Sequence, residues 1–156
     1  MNTKTGFTLV EILIVVAIIA LLAAISVPNL IRSRLNANEA AAQGQLKTIS
    51  SACEAFRASA SPADYPAQLA ILVASVPQYL NPSLDTATTG SAKNGYFFEY
   101  VRLNIAQYVC SARPETYNVT GSRTFAVNET GVIRATDHGG AAVNSTAGYS
   151  AMMVTQ

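Results

Sequence analysis

Residues 6–31 read GFTLVEILIVVAIIALLAAISVPNLI, and this stretch decides how the rest of the chain is organised. No residue from Ile12 to Ile25 is polar, and apolar residues extend the run on both sides. A helix rises about 1.5 Å per residue, so as a helix the stretch would be roughly 35 Å long. That length is enough to cross the hydrocarbon core of a bilayer. The stretch therefore predicts a membrane-spanning helix.

One acid, Glu11, lies inside this apolar stretch. A carboxylate in the hydrocarbon core costs roughly 3 kcal/mol on insertion scales, so an acid there calls for a partner or a function. No basic residue lies between Phe7 and Ile31 to act as that partner. Glu11 is therefore the first candidate functional residue.

The residues around Glu11 form a recognisable motif. The string KTGFTLVE at residues 4–11, followed by the apolar run, resembles the prepilin signature of type IV pilins and type II secretion pseudopilins. In that family a membrane-bound aspartic peptidase cuts after the glycine, and the same enzyme N-methylates the new first residue. The resemblance implies a leader peptide at residues 1–6, cleavage between Gly6 and Phe7, and methylation of Phe7. It also implies that Glu11 sets the assembly register by pairing with a neighbouring subunit's amine.

Cleavage at this position would change the charge next to Glu11. It creates an ammonium group on Phe7, at the i, i+4 spacing that brings two side chains together on a helix. Two opposite charges about 4 Å apart gain roughly 4 kcal/mol at an effective dielectric of 20, which is comparable to the insertion cost. Pairing within one chain and pairing between two subunits both remain open.

Residues 6–31 have two other interpretations. A secretory signal peptide would use Lys4 as its basic region and the segment Ala23-Ala24-Ile25-Ser26 as its cleavage site. The acid at Glu11 and the length of the apolar run argue against it. An ordinary membrane anchor fits the length but gives no reason for Gly6, Phe7 or Glu11. The flanking charges do not fix the orientation, since Lys4 precedes the span while arginines follow it; the resemblance implies an external C-terminal side.

The helix is predicted to continue past the membrane span. Pro28 predicts a kink or a local break, but the amphipathic pattern then persists over residues 32–60. Its apolar stripe consists of Ile31, Leu35, Ala42, Leu46, Ile49, Cys53 and Phe56. The charged residues off that stripe predict a solvated face: Arg32, Arg34, Glu39, Lys47, Glu54 and Arg57. Ser61-Pro62 predicts the end of the helix.

The remaining residues predict a small head. Residues 61–94 are a connector with a short helix near 66–75, and residues 95–136 form an antiparallel sheet head. Its four strands are predicted at 95–103, 107–113, 122–128 and 132–136. The tail, 137–156, is predicted to be a flexible, loose surface segment, and local packing through Tyr149, Met152 and Met153 is the alternative. The predicted fold class is therefore α+β and pilin-like: one long N-terminal helix, with a transmembrane and assembly segment at 7–31, packed on a four-stranded sheet.

Two cysteines are predicted to face the same helix–sheet interface. Cys53 lies on the apolar stripe, and Cys110 shares a strand face with Tyr108 and Ala112. In an exported domain such a pair is a disulfide candidate, and two separate buried thiols are the alternative. A bridge here would differ from the frequent bridge of the resembled family, which closes a loop near the C-terminus.

Composition limits the other functions. Ten basic and nine acidic residues give a net charge of +1, so there is no electrostatic case for nucleic acid. The single histidine, His138, has only Asp137 beside it as a partner for catalysis or metal binding. With Glu129 and Asp137 as the only acids near the end, no calcium site is expected. We expect no enzyme and no cofactor.

The resemblance therefore implies a structural subunit of a type IV pilus or pilus-like filament. The implied partners are other copies of the chain in a helical homopolymer, the prepilin peptidase/methyltransferase, an inner-membrane assembly platform and the membrane itself. The implied location is the bacterial inner membrane, then an extracellular filament or a periplasm-spanning pseudopilus. The alternatives are a pseudopilin of type II secretion or DNA uptake, and a secreted or membrane-anchored binding domain. The absence of tryptophan, and hence of the Pro-Asp-Pro-Trp-Gly segment of major pseudopilins, favours a pilin.

Overall fold

The computed structural model describes residues 7–85 and 91–154. The chain forms two compact units, Met1–Arg34 and Leu35–Gln156. The predicted leader, including Gly6, lies outside the described residues.

A single helix, α1 (Leu9–Ser59), runs through both units. It is long and apolar enough at its N-terminal end to cross a membrane, by length and composition. Pro28 lies within it, and the helix is continuous through that position. The predicted local break is therefore absent, while a kink at Pro28 stays a prediction. The helix ends one residue before the predicted position, and the Ala60 amide still donates to the Phe56 carbonyl at 3.0 Å.

The C-terminal part of α1 buries one side, as the stripe predicted. Ala42, Leu46, Ile49 and Cys53 are fully buried, at the helical spacing that places them on one face. The prediction for Glu39 was wrong: it is buried, not solvated. A carboxylate can be buried when it is fully hydrogen-bonded, and its partners are described below.

The connector contains two short helices, α2 (Leu69–Ala74) and α3 (Pro82–Asp85). The short helix predicted near 66–75 is α2, and α3 was not predicted. Four connector leucines enter the core: Leu69, Leu72, Leu80 and Leu84. The connector therefore covers part of the core rather than forming a loose link.

The sheet is an antiparallel meander in the order β1-β2-β3-β4-β5. The strands are β1 (Tyr96–Asn104), β2 (Gln107–Pro114), β3 (Thr124–Asn128), β4 (Ile133–Thr136) and β5 (Met153–Val154). The first four agree with prediction to within two residues at each end. The four-stranded sheet is corrected to five strands, because the tail returns to pair beside β4. The α+β fold class is confirmed.

The two faces of the sheet pack against different parts of the chain. Cys110 and Val127 belong to the main core with α1 and the connector, while their neighbours Val109 and Ala126 lie in a second cluster. Successive strand residues point to opposite faces, so the second cluster is on the face away from α1. The tail covers it, through the remaining cluster members Val143, Tyr149 and Met152.

The tail is therefore packed, which decides between the two predicted alternatives. It contains α4 (Thr146–Ser150), whose N-cap Ser145 accepts a hydrogen bond from the Gly148 amide. The Tyr149 hydroxyl donates to the Val132 carbonyl at 2.7 Å. Met153 was expected to pack but is 77% exposed.

Candidate assembly site at the start of the long helix

Thr8 and Glu11 together cap the N-terminus of α1. The Thr8 amide and hydroxyl each donate to Oε2 of Glu11 at 3.1 Å, and the Glu11 amide donates to the Thr8 hydroxyl at 3.3 Å. This reciprocal pattern is a capping box, which satisfies amides that have no partner within the helix. The negative charge of Glu11 also complements the positive end of the helix dipole. Glu11 is thus held near the helix start, facing back toward Phe7.

The surface around Glu11 is apolar and uncovered. Every large hydrophobic side chain from Phe7 to Ile31 is at least 50% exposed, and Phe7 itself is 80% exposed. Contiguous apolar patches of this extent are rare on soluble monomers and mark membrane or protein contacts. Glu11 is exposed in the midst of this surface, and Thr8 is the only hydrogen-bond partner of its carboxylate among the residues that the structure describes.

The positions of Phe7 and Glu11 are compatible with the predicted cleavage and ion pairing. Phe7 directly precedes the cap, so an amine created there would lie one turn before Glu11. Gly6, on the other side of the predicted cleavage, lies outside the described residues. Thr8 was missed in the sequence prediction, although Thr-x-x-Glu before an apolar run is the pattern of a capping box.

A second acid of α1, Glu39, is fully partnered within its own unit. Its Oε1 accepts from the amide and hydroxyl of Ser122, both at 3.0 Å, and from the Arg123 amide at 3.3 Å. Its Oε2 accepts from Nε and Nη2 of Arg123, at 2.8 and 2.6 Å. Burial alone would raise the pKa of Glu39, but these donors outweigh it and the net pKa is lowered. This arrangement ties α1 to the start of β3.

Cys53 and Cys110 both lie in the main core, fully buried and as free thiols. Tyr100 is the cross-strand partner of Cys110. Burial raises the pKa of Cys53 to about 12 and raises that of Cys110 well above its usual range. A disulfide between them stays a prediction.

No group of acids, histidines and cysteines in residues 7–85 and 91–154 has the arrangement of a metal site. The Asp137 carboxylate instead accepts from the Tyr117 hydroxyl at 2.8 Å and from the Gly139 amide at 3.1 Å. These contacts close the loop around His138. The Asp137 carboxylate is therefore hydrogen-bonded to groups of the chain itself.

Comparisons with known proteins agree with the N-terminal prediction. A family model described as the prokaryotic N-terminal methylation motif matches residues 1–27. The chain is 56% identical over 39 residues to the type IV wide pilus major component PilA4 of Thermus thermophilus, covering 25% of this chain and 30% of that protein. It is 45% identical over 51 residues to the type IV major pilin protein PilA of Myxococcus xanthus, covering 33% of this chain and 23% of that protein.

The matched regions thus span less than a third of each curated relative. No solved structure matches the chain at a significant level. The prepilin-type signature predicted from residues 4–11 is confirmed, and the N-terminal segment is homologous to those of type IV major pilins.

Proposed function

We propose that this chain, which carries the prepilin-type methylation motif, is the major structural subunit of a type IV pilus. A peptidase/methyltransferase of the membrane would cleave it between Gly6 and Phe7 and methylate Phe7. An assembly platform in the inner membrane would then build the subunits into an extracellular helical homopolymer. The function is structural and not enzymatic.

The observation that carries this proposal is the uncovered apolar surface of α1 with one carboxylate in it. Its large side chains, from Phe7 to Ile31, are at least half exposed. Such a surface needs a non-aqueous environment. Lipid supplies one before assembly, and the same surfaces of other copies supply one afterwards. The filament would thus be held together by packing of apolar helices.

Glu11 would give this packing its register. Apolar helices slide past one another at little cost, because dispersion contacts are not directional. A carboxylate in that environment must find an ammonium group, and a misplaced subunit leaves the charge unpaired. The Phe7 amine created by cleavage is the group that meets this need. Processing and assembly would therefore be coupled.

The two relatives, both described as major pilus or pilin components, favour a pilus over a secretion pseudopilus. A pseudopilin would use the same N-terminal chemistry. A pilus would extend beyond the cell surface, whereas a pseudopilus would end within the cell envelope.

The first test is the substitution Glu11→Ala. We expect the variant to insert into the membrane and to be cleaved, since neither step needs the carboxylate, but filament yield should fall roughly tenfold or more because the ion pair is lost. Filament yield is measured by shearing and quantifying the surface fraction, with cleavage followed by mass.

Glu115→Ala, which removes an exposed acid of the head, is the matched control and should assemble normally. A normal filament yield from Glu11→Ala would contradict the register role.

A further inference from the structure

Two arginines follow directly after the apolar surface of α1. Ile31 is the last of its large apolar residues, and Arg32 and Arg34 come next with Ser33 between them. Both arginines are exposed. Within residues 7–85 and 91–154, neither forms an ion pair, since the two pairs found there are Arg102–Asp64 and Arg123–Glu39. Two positive charges therefore lie beside the apolar surface without an ion-pair partner in the described part of the chain.

The position of these arginines along α1 corresponds to a membrane surface. From Leu9 to Arg32 the helix rises about 35 Å, and the hydrocarbon core of a bilayer is about 30 Å thick. A span that begins near the helix start therefore brings Arg32 to the headgroup region on the far side. The long apolar stem of arginine lets its guanidinium group reach that region from slightly within the boundary.

Their spacing around the helix argues for a partner that surrounds it. Residues at i and i+2 do not share a helix face, and at about 100° per residue they lie on nearly opposite sides. A carboxylate on one neighbouring protein surface can face only one of the two. A layer of lipid headgroups lies on every side of the helix and can pair with both.

We propose that Arg32 and Arg34 bind the phosphate groups of anionic phospholipids where α1 leaves the bilayer. A guanidinium group matches a phosphate with two parallel hydrogen bonds. A negatively charged lipid surface adds long-range attraction for each basic residue. These contacts anchor the chain at the surface of the membrane. The inference requires only that α1 spans a bilayer, so it does not depend on filament assembly.

The test measures lipid selectivity of the full chain reconstituted in phosphatidylcholine vesicles. Spin-labelled phosphatidylglycerol and spin-labelled phosphatidylcholine are compared for association with the protein at low salt. We expect the wild-type chain to prefer phosphatidylglycerol, by about fivefold at each arginine. The preference should weaken as salt is added, because the charges are at the water interface.

The variant Arg32→Gln with Arg34→Gln should lose this preference, and the variant with both arginines changed to lysine should retain most of it. The charge-matched control, Lys47→Gln with Arg113→Gln, removes two cations from the Leu35–Gln156 unit and should behave as wild type. A wild-type chain without preference, a glutamine variant that keeps it, or a control that loses it would each overturn the inference. Self-association of the chain that depends on the two arginines, with no lipid preference, would assign them to a protein carboxylate and also overturn it.

Discussion

Two glutamates of α1, Glu11 and Glu39, lie in opposite environments. Glu39 has five hydrogen bonds, all within its own unit, and is buried. The Glu11 carboxylate has hydrogen bonds to Thr8 only, among the described residues, and lies in an apolar surface. The charge of Glu39 is compensated within the chain. The charge of Glu11 needs a further partner once the surface around it is covered.

The sequence pattern identified Glu11 as an unusual acid, but it gave no sign that Glu39 is buried. Glu11 is conspicuous because an acid inside a long apolar run is costly wherever that run is placed. Glu39 appears in an ordinary amphipathic pattern, where charged residues off the stripe are normally solvated. Its partners Ser122 and Arg123 are more than 80 positions away, with separations of 83 and 84. Local spacing cannot indicate a contact of that range.

Substitution of Glu39 should destabilise the head. Glu39→Ala leaves the Ser122 and Arg123 amides without their acceptor, and we expect a loss of about 2–4 kcal/mol in the free energy of unfolding. Urea unfolding of the full chain in detergent measures this loss. Glu115→Ala, at an exposed acid, should change the unfolding free energy by no more than about 0.5 kcal/mol. Equal stability of the two variants would show that the Glu39 contacts contribute nothing.

The same residue sets a pH dependence. The pKa of Glu39 in the folded chain lies below its usual value of 4.5. A lowered carboxyl pKa contributes stability that is complete above the unfolded-state pKa and is lost as the pH falls through the folded-state pKa. Wild type should therefore lose stability below about pH 4.5 more steeply than Glu39→Gln. Parallel stability curves for the two proteins in that range would contradict this.

At the scale of elements, α1 combines two kinds of helix in one. Its N-terminal part is apolar on all sides, and its C-terminal part buries a single stripe. Both patterns could be predicted from the sequence, because helical periodicity is local. The fifth strand and α4 could not be predicted. Small and polar residues dominate the tail, and β5 has only two residues, so its pairing with β4 arises from long-range packing.

Two glycines should respond oppositely to substitution by alanine. Gly44 is in α1 with open space around it, so Gly44→Ala should stabilise the chain by up to about 1 kcal/mol. At Gly121 an added Cβ would lie 2.0 Å from the Tyr96 hydroxyl oxygen, so Gly121→Ala should be destabilising by several kcal/mol. Thermal unfolding of both variants tests this. An unchanged thermal stability of Gly121→Ala would mean that Gly121 and Tyr96 are not in the close contact described here.

The packing of α1 on the sheet also shields both thiols. Cys53 and Cys110 are fully buried and their pKa values are raised, so little thiolate forms at neutral pH. We expect neither to react with iodoacetamide in the folded chain. After unfolding without reductant, two alkylated cysteines identify free thiols, and none identifies the predicted disulfide. Rapid alkylation of the folded chain would contradict the buried position of the pair.

At the scale of the whole molecule, the two units differ in how much of their apolar surface is buried within the unit. Leu35–Gln156 has a core, a second cluster under the tail and internal partners for Glu39. Met1–Arg34 has, in its described residues, an apolar helix whose large side chains are all at least half exposed. The fold class and the N-terminal prepilin-type signature were predictable because they depend on local pattern and on motif. The tail and the Glu39 contacts depend on tertiary packing and were not.

The central claim is that the chain is cut before Phe7 and assembled through the helix that follows. The most direct test is the intact mass and N-terminal peptide of the chain recovered from sheared surface filaments. We predict a chain that begins at Phe7 and carries one methyl group on its amine. A chain that begins after the apolar run, near Val27, would contradict the claim, because both Glu11 and the assembly surface would then be absent from the mature protein.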